Sequence, residues 1–194
     1  RLGEAPFRVR VEPLSGFAIY AGAQPISARL HDGDVTAEAR LHVGIRTEPL
    51  QDAPTVEAAS FVAEEGGEVQ VRTDKVGVIG TAISHWDAPG HRLTWALEAP
   101  REGDYLLVLR YCANSDVRRH VELPGVVDCE QQFSATGGFG AAAEDWQHRA
   151  LLDGSGDPLV LHLAAGEHRI TLTNLCGSGM NLDYLALLPV DTKD

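Results

Sequence analysis

Rings set beside turn residues, rather than nucleophiles, are the groups in this sequence best placed to meet another molecule. His85 and Trp86 run into Asp87-Ala88-Pro89-Gly90, a stretch that favours a turn. Phe139 stands among Gly137, Gly138 and Gly140, whose lack of side chains leaves it unshielded. An aromatic ring on such a loop is a candidate ligand contact. Trp86 either plugs the end of the fold or meets that ligand, and His85 either touches it or is a solvated loop histidine. Trp146 reads as the start of a packed strand, with lining of the same site as the alternative. Asn114 and Asp116 share a polar loop that leads into the basic run Arg118-Arg119-His120. That run reads as a solvated strand end, with pairing to a ligand carboxylate as its alternative.

The signatures of catalysis are missing from the sequence. There is no G-x-S-x-G nucleophile elbow, no H-E-x-x-H metal pair and no phosphate-cradling G-x-x-x-x-G-K. Gly154-Ser155-Gly156 reads as a turn. The eight histidines show no ligand-like spacing. With 28 acidic residues, some carboxylate pair meets the spacing needed for glycoside hydrolysis by chance, so that test has no power. Binding without chemistry is the expectation.

The chain of 194 residues has room for one domain, or for one domain with an attached piece. Its net charge of -12, from 16 basic and 28 acidic residues, repels phosphate backbones and argues against nucleic acid as a partner. No run of 18 apolar residues occurs, so no segment reads as a membrane-spanning helix and no membrane partner is expected. The sequence starts at Arg1 without a recognisable leader, which suits a removed leader or a piece of a longer protein.

The elements that must position these residues are strands. Apolar residues alternate with period two in runs near Val56–Val62, Val69–Thr73, Arg92–Glu98, Tyr105–Tyr111, Arg119–Leu123, Asp128–Ser134, Trp146–Leu152, Leu159–Leu163, His168–Asn174 and Leu182–Leu188. Leu93, Trp95 and Leu97 share one face, which makes Trp95 a core residue. Tyr105 and Tyr111 read as packed in the same way. Gly, Pro and Asp punctuate the runs, as in Ala88-Pro89-Gly90 and Asp153-Gly154-Ser155-Gly156. Residues 141–145 make one helical turn at most. Many short strands with turn signals every dozen residues predict an all-β, antiparallel sandwich or barrel over about residues 55–190, with the sandwich as the favoured reading.

Residues 1–50 differ. Phe7–Val11 and Val35–Ile45 alternate as half-buried strands do, and Phe17–Tyr20 and Ile26–Leu30 are two further candidates. His31-Asp32-Gly33-Asp34 is a good turn. Four short strands bury too little to stand alone, so they either pack on the sandwich or form the tail of a preceding domain. Residues 48–54, with Pro49 and Pro54, read as the connection.

The order of the signals also carries a resemblance. Val56-Glu57-Ala58 is followed by Ile83-Ser84-His85-Trp86-Asp87-Ala88-Pro89-Gly90 and Leu93-Thr94-Trp95. Then come Gly103-Asp104-Tyr105 with Val108-Leu109-Arg110-Tyr111, Thr136-Gly137-Gly138, and Asn181-Leu182-Asp183-Tyr184-Leu185. This order resembles carbohydrate-binding modules of families 6 and 35, β jelly rolls of the galactose-binding-domain-like type, over residues 56–189. The resemblance implies an oligo- or polysaccharide ligand held by loops at one end of the sandwich, where rings stack on C–H-rich sugar faces. It implies a hydrogen-bonding role for Asn181. His85 and Phe139 stand where the family places a tyrosine and a tryptophan, with Trp86 and Trp146 close by. It further implies a structural calcium held by Glu57 and Asp183, weakened because Ala59 replaces a second glutamate.

In the jelly-roll reading Cys112 and Cys176 lie near the ligand end. Cys112–Cys176, Cys112–Cys129 and three reduced thiols all remain open. The functional expectation is a non-catalytic carbohydrate-binding module, accessory to a larger secreted or periplasmic glycan-active protein whose catalytic domain is a partner. The alternative is a structural or protein-interaction sandwich that binds no sugar.

Overall fold

The structure is a computed structural model that describes residues 53–78 and 80–190, together with the backbone of residues 24–32 and 35–43. Strands β1 (Gln24–Asp32) and β2 (Val35–Val43) form an antiparallel hairpin. Its register closes with Asp32 opposite Val35, where the turn is predicted. The predicted strands Phe7–Val11 and Phe17–Tyr20 lie outside the described residues.

The remaining strands are β3 (Thr55–Glu57), β4 (Ala63–Glu65), β5 (Gln70–Arg72), β6 (Ala82–Ser84), β7 (Arg92–Ala99) and β8 (Gly103–Cys112). They continue as β9 (Val117–Leu123), β10 (Val127–Phe133), β11 (Gln147–Ala150), β12 (Val160–Leu163), β13 (Gly166–Asn174) and β14 (Asn181–Pro189). A five-stranded sheet runs β10-β9-β13-β7-β4, and a seven-stranded sheet runs β11-β8-β14-β6-β5, with β12 on β8 and β3 on β14. Every pairing is antiparallel. The predicted all-β sandwich is the observed fold.

Period-two alternation builds the core between the sheets. Leu93, Trp95 and Leu97 on β7 and Ile170 and Leu172 on β13 face Leu107, Leu109 and Tyr111 on β8 and Leu185 and Leu187 on β14. Tyr105 and Tyr111 each cap a buried ring with a hydroxyl bonded to a backbone carbonyl, of Arg101 and Ser134. The first predicted strand, Val56–Val62, is interrupted by a 3-10 turn at Ala58–Ser60. There the Ala58 carbonyl accepts the Trp95 indole N–H at 2.9 Å, a bond that burying an indole requires. Strand β6 escapes prediction, since three residues inside a glycine-containing stretch give no readable period.

One irregularity matters for the site. On β14, Leu182 pairs with Tyr111 and Tyr184 with Arg110, so Asp183 is an extra residue in a β-bulge. The bulge breaks alternation and carries the Asp183 carboxylate to the Arg110 guanidinium.

On the outer side of the same sheet, His148 Nε2 and the Tyr184 hydroxyl share a hydrogen bond of 2.5 Å. His148 is only 8% exposed. Burial, helped by the Arg110 charge, pulls its imidazole down to about 4 from an ordinary 6.5. The unfolded chain therefore binds this proton more readily. Stability is complete above about pH 6.5, falls as pH drops, and levels off below about pH 4. The whole window corresponds to roughly 3 kcal/mol. In urea unfolding, His148→Gln is expected to lose less stability than the parent between pH 7 and pH 5; equal losses would show that His148 does not titrate on unfolding.

Candidate functional site

At one end of the sandwich, three chain segments and the start of β14 enclose an open hollow of about 200 Å³. Ser84 ends β6, and His85 and Asp87 follow it in the loop toward β7. His85 adopts φ +61, a left-handed conformation that is costly for a side chain with a Cβ. A 2.9 Å hydrogen bond between Ser84 Oγ and His85 Nδ1 ties the ring to the strand end. Arg72, at the end of neighbouring β5, and Lys75, just beyond it, form a cationic wall. Asp74 grips the Arg72 guanidinium through two hydrogen bonds of 2.7 and 2.6 Å, which fixes its direction.

The opposite wall is Phe139, in the loop between β10 and β11. That loop is built around Asp145, whose Oδ2 accepts the backbone N–H groups of Gly140, Ala141 and Ala142 at 3.0, 2.8 and 3.2 Å. Gly140 adopts φ +79 with the Trp146 ring against it, and a Cβ there would come within 2.8 Å of that ring. Glycine is therefore required at this position. The Phe139 ring is half-buried, and its carbonyl accepts the Asn181 amide at 2.8 Å. Asn181 is itself only 4% exposed, yet it lines the hollow. Its amide ties the Phe139 loop to the start of β14.

The structure thus brings together three of the predicted ligand contacts, Asn181, Phe139 and His85. Two others are core residues. Trp86 is 0% exposed; its indole donates to the His91 carbonyl at 3.0 Å and meets the Trp95 ring edge-on at 6.0 Å. It plugs the end of the sandwich beneath His85. Trp146 is 6% exposed, donates to the Val76 carbonyl at 2.9 Å and braces the glycine turn behind Phe139. Asn114 is exposed on the loop between β8 and β9, outside the lining of the hollow.

Arg72, Lys75, Ser84 and Asp87 were missed from the sequence as site residues. A trace existed for the first two, since Arg72-Thr73-Asp74-Lys75 places two cations in a strongly acidic chain.

The basic run is also corrected. Arg118 is exposed, but Arg119 is 0% exposed. Its guanidinium lies 4.5 Å over the Trp86 ring and donates to Asn174 Oδ1 and to the carbonyls of Trp86 and Ser178, at 3.1, 3.2 and 3.1 Å. Burial pulls it down to about 10, so it stays charged at neutral pH. It joins the loop carrying His85 and Asp87 to the loop leading into Asn181.

The two carboxylates expected to hold calcium have other partners. Asp183 is buried and ion-paired with Arg110, and Glu57 accepts the Thr81 hydroxyl. Calcium needs about six to eight oxygens. No group of three or more His, Cys, Asp or Glu suited to a metal ion occurs among the described residues. All three cysteines are free: Cys112 buried, Cys129 half-buried, Cys176 exposed. Burial works to raise the Cys176 thiol, but hydrogen bonds from Arg118 and Ser178 and the Arg119 charge outweigh it and leave it below its ordinary value.

No protein-family model matches the sequence, and no curated protein matches it. Solved structures do match. A Paenibacillus sp. cycloisomaltooligosaccharide glucanotransferase, complexed with cycloisomaltoheptaose, is 23% identical with a TM-score of 0.56; the match covers 69% of this chain but only 18% of the enzyme. The CBM35 of Cellvibrio japonicus Abf62 is 20% identical with a TM-score of 0.53, over 70% of this chain and 92% of the module. A CBM6 from Cellvibrio mixtus lichenase 5A, complexed with cellotriose, is 21% identical with a TM-score of 0.50, over 69% of this chain and 95% of the module. The chain therefore has the β-sandwich fold of CBM6 and CBM35 carbohydrate-binding modules.

Proposed function

We propose that the sandwich is a non-catalytic carbohydrate-binding module that holds an oligo- or polysaccharide at the hollow of Phe139, Asn181 and His85. The supporting observation is that hollow itself. A half-buried ring forms one wall, and Arg72, Lys75, Asp87 and the His85 imidazole supply donors and acceptors around it. A ring beside converging polar groups suits a sugar, whose C–H face stacks while its hydroxyls hydrogen-bond. The hollow is smaller than a pocket of about 300–1,000 Å³ for a drug-sized ligand, so it takes a ring or two of a longer chain. Affinity at a single shallow site is modest. The neighbours of the same fold solved with cellotriose or cycloisomaltoheptaose support a sugar ligand. A module of this kind serves a larger secreted glycan-active protein, where tethering beside a catalytic domain raises local substrate concentration.

The test is a titration against a broad panel of oligosaccharides. Phe139→Ala is expected to weaken binding about tenfold or more through lost buried area, with the melting temperature within about 2 °C of the parent. A parent protein that retains no glycan, or a Phe139→Ala variant that binds like the parent, would sink the proposal.

A further inference from the structure

The larger sheet is apolar and buried on both faces, although the smaller sheet covers only one of them. Leu107, Leu109, Leu185 and Leu187 point into the sandwich. Their strand neighbours Leu106, Val108, Ala186 and Leu188 must point the other way, and they are buried too, together with Ala150 of β11. Leu106 is 1% exposed and Val108 0%. The buried strip is narrow. Thr55 and Glu57 on β3, and Val160 and His162 on β12, remain exposed on either side of it. A face of this kind in a soluble fold needs a third layer.

The β1–β2 hairpin has the complementary problem. Residues directly opposite each other in a ribbon share a face. The register therefore groups Ile26 with Leu41, Ala28 with Ala39 and Leu30 with Ala37 on one face. The other face groups Ser27 with Arg40, Arg29 with Glu38 and His31 with Thr36. A two-stranded ribbon with one apolar face is at best marginally stable alone in water.

The chain path connects the two surfaces. Ala53 is buried within the outer-face cluster, and the Pro54 carbonyl accepts the Leu187 N–H at 2.9 Å. Residues 44–52, between β2 and this point, can reach about 30 Å. We propose that the hairpin lays its Ile26–Leu41 face on the Leu106–Val108–Ala186 strip as a third layer of the same molecule. Residues 24–43 then belong to the sandwich module rather than to a preceding domain.

The test uses the full chain and its tryptophan fluorescence, because all three tryptophans lie in the sandwich. Leu41→Asp is expected to lower the tryptophan-reported melting temperature by about 5 °C or more. Ser27→Asp, the same residue placed on the polar face, is expected to shift it by less than about 2 °C. If Leu41→Asp does not fold, Leu41→Ala and Val108→Ala replace it in a double-mutant cycle, where contact across the interface makes their effects non-additive. The proposal is overturned if Leu41→Asp melts like Ser27→Asp, or if the two alanine variants add. A melting temperature that rises with protein concentration, with a dimer in sedimentation, would overturn it in favour of a second copy as the cover.

Discussion

Replacing Arg119 with alanine is expected to cost the sandwich about 3–5 kcal/mol and, in the same variant, most of its sugar affinity. The stability loss has three sources. The Trp86 and Ser178 carbonyls and Asn174 Oδ1 lose a charged donor in a buried site, and a hydrogen bond to a charged group contributes about 1.5–3 kcal/mol. The guanidinium leaves a gap over the Trp86 ring. The Asn174 amide, which also bonds the Trp86 and Ser178 carbonyls, loses its brace. The affinity loss follows because Trp86 lies between His85 and Asp87, and Ser178 lies just before Gly179 and Asn181. Once that tie goes, the loop carrying His85 and Asp87 and the loop leading into Asn181 are joined through the Asn174 amide alone and lose their common register. Arg119→Lys keeps the charge but not the fork and is expected to fall between parent and alanine variant. Urea unfolding gives the first effect, and glycan titration of the folded variant gives the second. A loss below about 1 kcal/mol would mean that Arg119 is not the clasp described here.

Arg119 also shows what kind of information the sequence carried. Arg119 shares its parity on β9 with Val121 and Leu123, and all three are buried. The residue's charge had it read as part of a solvated strand end, although alternation along the run points it inward. Trp86 and Trp146 failed in another way. A ring beside a turn can tuck under the loop or stand out from it, and the choice depends on partners far along the chain, the His91 carbonyl for one and the Val76 carbonyl for the other. Phe139 was legible because its flanking glycines cannot cover it. Arg72 and Lys75 were not, because they reach the hollow only through pairing of β5 with β6, and β6 has no period to read. The strands, the sandwich and the hairpin turn were legible for the opposite reason, since alternation and turn chemistry are local.

The expected calcium ligand Asp183 gives the second large effect. Asp183→Ala is expected to destabilise the protein by about 3–5 kcal/mol, because it strands the Arg110 guanidinium, 11% exposed, against the Trp146 ring without its counter-charge. If the pair is a desolvated ion pair, removing both charges should be far milder than removing one. Arg110→Met with Asp183→Leu is therefore expected to recover most of the loss, since two buried charges leave together and apolar atoms fill their place. A calcium site behaves differently: ion binding to the folded state raises the melting temperature with ion concentration. No calcium-dependent rise is expected in the parent, because the bulge on β14 has already given Asp183 a cation in Arg110. A rise that appears in the parent and vanishes in Asp183→Ala would put the ion at Asp183 and remove Arg110 as the group that balances this carboxylate.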